Sequence, residues 1–273
     1  MGKFDGILLC SDLDDTLLTT DKHISDDNKR MIEYFKKEGG KFTFATGRIP
    51  HGAKLMLKYI EPNAPMVCFN GAGIFDHRTD ELLWRMALDD DAVKVMEFVD
   101  KNFPYSGLEV CTEKELYFCK VNMIVEVHKK HEDLADLYAD YHDVPKPWIK
   151  ALFMQETYQI DEVRNGLQNS EFTEKFDFIQ SSPQYYELLP KNASKGNALV
   201  KLAEILKVPI NRVIAIGDNE NDISMIKSAG TGIAVANAIE PLKDAADFIT
   251  VDNNSSAVAA VINMLDSGEL KLD

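Results

Sequence analysis

The feature that most constrains the fold is a regular alternation of short apolar runs and helix-like segments in the first third of the chain. An apolar run, a helical pattern and a second apolar run predict parallel strands joined by right-handed crossovers, since a tight hairpin cannot connect parallel neighbours. The first helix has clear end signals, because Ser25 is a suitable N-cap and Gly39 follows its last lysines. The strand-like runs are 4–12, 41–47 and 64–71, and the helix-like segments are 24–40 and 50–60.

The same alternation returns in the last third of the chain. Both ends are therefore predicted to contribute to one α/β domain, a Rossmann-like parallel-sheet core with helices on both faces. The predicted strands here are 211–218, 231–237 and 248–252, and the predicted helices are 194–206, 219–230, 238–247 and 255–265.

The middle of the chain has a different pattern, in which a helix is followed by two strands, twice. That order favours an antiparallel sheet with helices on one face. We predict an inserted α+β cap domain at 83–188 within a core domain made of 1–82 and 189–273. The predicted helices are 89–103, 128–141 and 161–170, and the predicted strands are 107–112, 116–121, 148–157, 176–182 and 185–190.

Charge and composition limit the partners of the chain. The formal net charge is -15, so nucleic acid is not an expected partner, and an anionic substrate would need a local cationic or metal site. No apolar run has the length of a signal peptide or a membrane span, so no membrane partner is expected. Four cysteines without Cys-x-x-Cys spacing favour free thiols and a cytoplasmic location.

Polar residues follow four of the predicted core strands at the point where each strand ends. Ligands of open parallel sheets bind beyond the carboxyl ends of the strands, so these side chains are expected to meet there. Lys195 begins a predicted helix and is expected nearby, where backbone amides also favour anions. The strand-end residues are Asp12, Asp14, Asp15, Thr46, Gly47, Arg48, Asn70, Gly71, Gly217, Asp218, Asn219, Asn221 and Asp222.

The residue types at these strand ends favour phosphoryl transfer. No His-x-x-x-His or Glu-x-x-His spacing indicates zinc, and no glycine-rich nucleotide loop follows a strand. Asp12, Asp14 and Asp218 offer hard oxygen ligands that suit Mg²⁺. A carboxylate nucleophile beside Mg²⁺, Lys195 and Thr46 fits transfer through an aspartyl-phosphate.

Four short motifs, in order along the chain, resemble those of the haloacid dehalogenase superfamily. They are DLDDTLL at 12–18, FATGR at 44–48, SKGNAL at 194–199 and GDNENDISMI at 217–226. With CFNGA at 68–72 and GIAVANAIEPLKDAAD at 232–247, the set is similar to the Cof-type phosphatases of that superfamily. The resemblance implies a Rossmann-like core, an inserted C2-type cap and a phosphatase that uses Mg²⁺.

The resemblance also implies catalytic roles for four residues. Asp12 matches the nucleophile that accepts the phosphoryl group. Asp14 matches the general acid and base, which protonates the leaving oxygen and then activates water. Thr46 matches the hydroxyl that hydrogen-bonds the phosphoryl group, and Lys195 matches the lysine that neutralises this group and the nucleophile.

Further positions match the metal site and the phosphate contacts of the family. The implied metal ligands are Asp12, the backbone carbonyl of Asp14, Asp218 and Asp222, the last either directly or through water. The remaining implied phosphate contacts are the amides of Leu13 and Gly47 and the side chain of Asn221.

Neighbouring residues receive structural or open roles. In an extended strand, Asp12 and Asp14 point the same way and Asp15 points the other way. Asp15 is therefore expected to serve the turn or solvent, and Asp tolerates left-handed backbone. Arg48 stays open between binding substrate and capping a loop, and Asn70 is expected to shape its turn rather than touch substrate.

The predicted function is a Mg²⁺-dependent phosphatase that hydrolyses phosphate monoesters of small metabolites, such as sugar phosphates. The cap is expected to set the choice of substrate. The alternative is a phosphomutase or a dedicated sugar-phosphate phosphatase with the same core and cap. A non-enzymatic member is disfavoured, because every catalytic position carries the residue type that the chemistry needs.

Overall fold

The computed structural model describes residues 2–272, which divide into two compact units. The first contains the chain up to Arg48, Ala53–Leu83 and the chain from Ser194 onwards. The second contains Ile49–Gly52 and Trp84–Ala193. The predicted fold class, an α/β parallel-sheet core with an inserted α+β region, is confirmed. The role of the second unit as a cap, with the boundaries given above, stays a prediction.

The helices and strands are numbered here in chain order. The strands are β1 (Leu8–Ser11), β2 (Lys41–Phe44), β3 (Met66–Cys68), β4 (Gly73–Asp76), β5 (Glu81–Arg85), β6 (Gly107–Thr112), β7 (Leu116–Lys120), β8 (Trp148–Met154), β9 (Phe176–Ser182), β10 (Tyr185–Pro190), β11 (Val213–Gly217), β12 (Thr231–Ala234) and β13 (Phe248–Ile249). The helices are α1 (Asp26–Lys37), α2 (Pro50–Lys54), α3 (Ala92–Asn102), α4 (Met123–His131), α5 (Thr157–Gln168), α6 (Lys195–Leu206), α7 (Ile223–Ser228), α8 (Glu240–Lys243) and α9 (Ala257–Ser267). Within residues 2–272, no helix has both the length and the apolar surface to cross a membrane.

A five-stranded parallel sheet forms the centre of the first unit, in the order β13-β12-β11-β1-β2. In β1, Leu8 pairs with Val213 of β11 on one side and with Lys41 of β2 on the other. All residues of β1 and β11 are buried, as expected for strands covered on both faces. The carboxyl ends of these strands therefore lie side by side, which is the edge where the predicted site residues follow.

The third predicted core strand, β3, differs from the prediction in its partners. It belongs to a separate three-stranded sheet, β3-β4-β5, and pairs antiparallel with β4. A single parallel bridge, from Ala45 to Val67, links it to the segment after β2. The chain turns straight from β3 into β4 because residues 69–71 all adopt positive φ. β3 was located correctly, and the parallel alignment predicted for it is limited to the Ala45–Val67 bridge, while its antiparallel partner β4 was missed.

The second unit contains an antiparallel five-stranded sheet in the order β7-β6-β8-β10-β9. Both predicted hairpins, β6–β7 and β9–β10, are present. Helices α3 and α5 pack their apolar faces onto one face of the sheet, where Val95, Ile160 and Phe153 belong to a common buried core. The other face carries the buried charged residues Glu109, Lys150 and Glu187.

One helix of the second unit was predicted in the wrong place. The predicted segment was 128–141, whereas α4 begins after Asn122, whose side chain accepts a hydrogen bond from the Val125 amide as an N-cap. The helix ends at His131, and Asp133, two residues later, adopts a left-handed conformation with φ of 50°. The apolar pattern at Leu134 and Leu137 was therefore mistaken for a continuing helix.

Candidate active site

The first motif lies in a tight turn that begins where β1 ends at Ser11. The Asp12 amide still donates to the Ile216 carbonyl of β11, at 2.9 Å, but the chain then leaves the sheet. Asp14 has an extended conformation, and Asp15 is left-handed with φ of 58°. The prediction that Asp12 and Asp14 share one face of a strand is therefore wrong, because the strand ends before both residues. The predicted left-handed turn at Asp15 is confirmed.

Three carboxylates meet at the carboxyl edge of the parallel sheet. Asp12, Asp218 and Asp222 each offer an oxygen, and these oxygens lie within 4.8 Å of one another. Asp12 and Asp222 are buried, and Asp218 is partly exposed. Thr16 fixes the Asp218 carboxylate, since its hydroxyl donates to Oδ1 at 2.6 Å.

The Asp222 carboxylate is held by the turn that follows β11. Its Oδ2 accepts hydrogen bonds from the amides of Asp218, at 3.1 Å, and Asn219, at 3.2 Å. Gly217 makes this arrangement possible, because a Cβ at this position would lie 2.6 Å from the Cβ of Asp222. The carboxylate therefore closes the loop on which Asp218 and Asn221 stand.

Lys195 joins two of these acids. Its Nζ lies 2.5 Å from Oδ1 of Asp12 and 2.6 Å from Oδ1 of Asp222, and the side chain is fully buried. The lysine is the first residue of α6, whose N-cap is Ser194. Lys191, the competing candidate, lies in the second unit, where it pairs with Asp177 at 2.9 Å.

Burial and crowding shift the pKa of the clustered groups. Burial raises the pKa of Asp12 well above its usual range, against the attraction of Lys195. Burial, followed by repulsion from Asp222, raises the pKa of Asp218 to about 7. Burial alone would lower the pKa of Lys195, but the charges of Asp12 and Asp222 outweigh it and raise that pKa. The lysine therefore stays charged, and the acids are short of positive charge.

The side chain of Asp14 lies apart from this cluster. Arg48 contacts it with Nη2 at 3.2 Å from both carboxylate oxygens, and Lys22 lies 3.4 Å from Oδ1. Burial opposes ionisation of Asp14, but the charges of Arg48 and Lys22 prevail and lower its pKa. The role of Arg48 was open from the sequence, and Lys22 was missed because its position four residues after the motif carries no family signal.

The remaining predicted phosphate contacts lie on the neighbouring strand ends. The Thr46 hydroxyl accepts from the Arg48 amide at 3.2 Å, and Thr46 is buried. The Asn221 side chain donates to Oδ1 of Asn70 at 3.0 Å, and Asn70 also lies against Gly47. The second and fourth motifs are thus brought together through Asn70.

Leu13 is buried directly after the predicted nucleophile. Its carbonyl accepts from the Leu18 amide at 2.8 Å, which closes the turn of the first motif. The turn is also fixed from outside, because Asn237 donates to the Asp15 carbonyl at 2.8 Å and Asn253 to the Leu18 carbonyl at 3.1 Å. Both asparagines were missed, although Asn237 follows β12 as the other site residues follow their strands.

The acidic cluster fits a divalent cation. Its three ligand atoms are carboxylate oxygens, the donors that Mg²⁺ prefers, and they converge without a nitrogen or sulfur ligand among them. Asp12, Asp218 and Asp222 are all among the predicted metal ligands. The predicted fourth contribution, from the Asp14 carbonyl, is not tested by this side-chain geometry.

Comparison with known proteins shows the family of the whole chain. Residues 9–262 match the model of the family described as haloacid dehalogenase-like hydrolase. The chain is 31% identical to the putative phosphatase YxeH of Bacillus subtilis, over 94% of this chain and 97% of YxeH. It is 29% identical to 5-amino-6-(5-phospho-D-ribitylamino)uracil phosphatase YwtE of the same organism, over 94% of this chain and 97% of YwtE.

A solved structure shows the same fold. A haloacid dehalogenase-like hydrolase from Bacteroides thetaiotaomicron superposes with a TM-score of 0.81 at 27% identity, over 95% of this chain and 99% of that chain. The chain belongs to the haloacid dehalogenase-like hydrolase family. The predicted family and the predicted enzyme class, a phosphatase, are therefore confirmed.

Proposed function

We propose that the chain is a Mg²⁺-dependent phosphatase that hydrolyses phosphate monoesters of small metabolites through an aspartyl-phosphate at Asp12. The observation that carries this proposal is the buried contact of Asp12 with Lys195, at 2.5 Å, inside a cluster of three carboxylates. One oxygen of Asp12 is thereby fixed by an ammonium group. A carboxylate whose orientation is already fixed loses less conformational entropy when it attacks phosphorus.

Lys195 supplies the fixed positive charge for this chemistry. Its raised pKa keeps it protonated, so it can offset the charge on the phosphoryl oxygens as they pass to Asp12. Thr46 and Asn221 would hydrogen-bond the same oxygens from the neighbouring strand ends. Mg²⁺ held by Asp12, Asp218 and Asp222 would neutralise the remaining charge of the phosphoryl group.

Asp14 is suited to the proton transfers, because it stands two residues after Asp12 and outside the contacts that Lys195 makes with Asp12 and Asp222. Arg48 and Lys22 favour its ionised form, which is the form that accepts a proton from water during hydrolysis of the aspartyl-phosphate. The Asp14 side chain is 41% exposed, so solvent water reaches it. Protonation of the leaving oxygen in the first step requires the protonated form of Asp14. The negative charge of an approaching phosphate would favour that form.

The substrate class follows from the relatives and stays part of the proposal. YwtE is named for a phosphorylated ribityl compound, and YxeH is named only as a putative phosphatase. A small phosphorylated metabolite with a polyol or sugar portion is therefore the first substrate to test. The phosphomutase alternative gains no support from these relatives.

Four free cysteines support the predicted cytoplasmic location, where thiols stay reduced.

The test replaces Asp12 by Asn and follows phosphate release from p-nitrophenyl phosphate and a panel of sugar phosphates. Without the nucleophile, we expect turnover to fall to background while the fold is kept. Asp15→Asn is the matched control, because Asp15 lies in the same turn, is exposed and lies outside the cluster. Near-normal turnover by Asp12→Asn, or full activity in EDTA, would contradict the proposal.

A further inference from the structure

The turn that follows β3 has an unusual backbone. Phe69, Asn70 and Gly71 have φ values of 55°, 53° and 95°, so three successive residues adopt the left-handed region. Only the last of them is a glycine, and a left-handed phenylalanine is rare. Such backbone persists only where the surroundings enforce it, and it is concentrated at functional sites.

The surroundings of this turn are the three predicted phosphate-binding segments. The Asn70 amide donates to the Thr46 carbonyl at 3.1 Å, and the Asn70 side chain accepts from Asn221 at 3.0 Å. Gly71 lies against the start of α6, because a Cβ at this position would be 2.5 Å from the backbone nitrogen of Lys195. One turn thus contacts the second, third and fourth motifs.

One polar atom of the Asn70 side-chain amide has no hydrogen-bond partner among residues 2–272. Its Oδ1 accepts from Asn221, while Nδ2 is buried and has no hydrogen-bond partner within residues 2–272. A buried N–H group without an acceptor is costly and rare. The amide lies flat against Gly47, where a Cβ would be 3.0 Å from both Nδ2 and Oδ1. The unpaired donor therefore lies beside the loop that is predicted to hold the phosphoryl group.

We propose that Asn70 is a phosphoryl-binding residue, whose Nδ2 donates to an oxygen of the phosphoryl group while Oδ1 holds Asn221 in place. This inference rests on the proposed function. Asn70 is 2% exposed, like Thr46 at 2% and Lys195 at 1%, so it lies as deep as the residues that are already expected to meet phosphate. An anion would satisfy the unpaired donor. The left-handed backbone agrees with the expectation that Asn70 shapes its turn, and the proposal adds a binding role to it.

Two substitutions test the Nδ2 donor of Asn70 separately from the left-handed backbone at this position. Asn70→Asp keeps the size, the tolerance of left-handed backbone and an acceptor for Asn221, but replaces the donor by an anion. Asn70→Gly keeps the backbone and removes the whole amide. The probe is inorganic phosphate, measured both as a competitive inhibitor and as a ligand by calorimetry with Mg²⁺ present. For Asn70→Gly we expect phosphate affinity and kcat/KM to fall about 10- to 100-fold, the effect of losing a hydrogen bond to a charged group.

Asn70→Asp should be affected more strongly, because its carboxylate repels the phosphate. The matched control is Asn192, a left-handed asparagine with φ of 66° that is exposed in the second unit. Asn192→Asp and Asn192→Gly should leave phosphate affinity at the wild-type value. Circular dichroism and the unfolding midpoint verify that each variant is folded.

The outcomes distinguish this inference from the proposed function. Folded Asn70 variants that bind phosphate within twofold of wild type would overturn the role of Asn70, whatever the wild-type activity. A wild-type protein that binds phosphate but hydrolyses no ester would contradict the proposed function, and loss of phosphate binding in Asn70→Asp would still support the donor. A wild-type protein that neither binds phosphate nor turns over any ester would overturn both.

Discussion

Each unit of the molecule buries a lysine among carboxylates, and the two clusters differ in their balance of charge. In the first unit, Lys195 contacts both Asp12 and Asp222, and Asp218 lies close to both acids. Three carboxylates thus surround one positive charge. Burial raises the pKa of Asp12 and of Asp218, and repulsion from Asp222 raises both further.

The second unit gives each of two buried glutamates a basic partner. Lys150 donates to Oε2 of Glu187 at 2.6 Å, and His128 of α4 lies with Nδ1 3.1 Å from Glu109. Both glutamates stand opposite Leu152 in register, so the pairs form a row across β6, β8 and β10. Burial lowers the pKa of His128, but the charge of Glu109 outweighs it and raises that pKa, which favours the charged form.

The first cluster carries surplus negative charge that a cation can bind, whereas the second holds each glutamate against a basic side chain. A buried cluster with surplus negative charge is stable only if a cation or a proton joins it. A balanced pair needs neither, and serves the structure of its own sheet. Burial of a lysine therefore does not identify a functional site by itself. The feature that indicates such a site is the surplus of carboxylates around the lysine.

The largest expected effects come from removing each lysine in turn. Lys195→Met should lower kcat/KM about 10²- to 10³-fold in saturating Mg²⁺, since it removes a charge aimed at the phosphoryl group. Lys150→Met should instead destabilise the protein by about 3–5 kcal/mol, because it leaves Glu187 buried and unpaired. Turnover of p-nitrophenyl phosphate and urea unfolding measure the two effects separately.

A double variant sharpens this contrast. Lys150→Met with Glu187→Gln removes both charges of the pair and should recover most of the lost stability. Activity per folded molecule should stay near wild type in both Lys150 variants. The comparison fails if Lys150→Met abolishes turnover while the protein stays folded, since the balanced cluster would then have a role in catalysis.

A smaller effect is expected from metal binding alone, without substrate. Mg²⁺ should raise the free energy of unfolding relative to EDTA, by about 3 kcal/mol at one hundred times its Kd, because it joins the uncompensated acids. Asp218→Asn removes one of the three ligands and should lose most of this gain. Lys150→Met should keep it, although its baseline is lower. Equal Mg²⁺ stabilisation in wild type and Asp218→Asn would place the ion elsewhere.

The sequence predicted the elements and the cluster better than the turns between them. The apolar runs and helix signals located the core strands, and the rule that ligands follow strand ends brought Asp12, Asp218 and Asp222 together correctly. The failure at Asp14 has a physical reason. The period-two rule holds only inside a strand, and β1 ends at Ser11 because the chain turns there.

Contacts between distant segments could not be predicted from the sequence. The pairing of Asp14 with Arg48 and Lys22 depends on how two loops fold over the sheet edge, and no spacing rule reports it. The unpaired Nδ2 of Asn70 is likewise visible only when all possible partners have positions. In the second unit, the balance of Glu109 with His128 depends on α4, whose start was predicted incorrectly.

The smallest expected effect concerns the pH dependence of the balanced cluster. The folded-state pKa of His128 is raised above its unfolded value of about 6.5, so its pairing with Glu109 stabilises the fold fully below that pH. This contribution is lost as the pH rises through the folded-state pKa. The difference in unfolding free energy between wild type and His128→Gln should therefore be largest near pH 6 and shrink toward pH 9.

A second histidine provides the control for this pH dependence. His142 contacts Asp140 and Glu97, but its side chain is 51% exposed, so solvent screens the interaction. His142→Gln should change the unfolding free energy less than His128→Gln at every pH. The groups that face His128 are Glu109, Glu132 and Lys150, so a pH-independent difference for His128→Gln would mean that packing rather than charge holds α4 to the sheet.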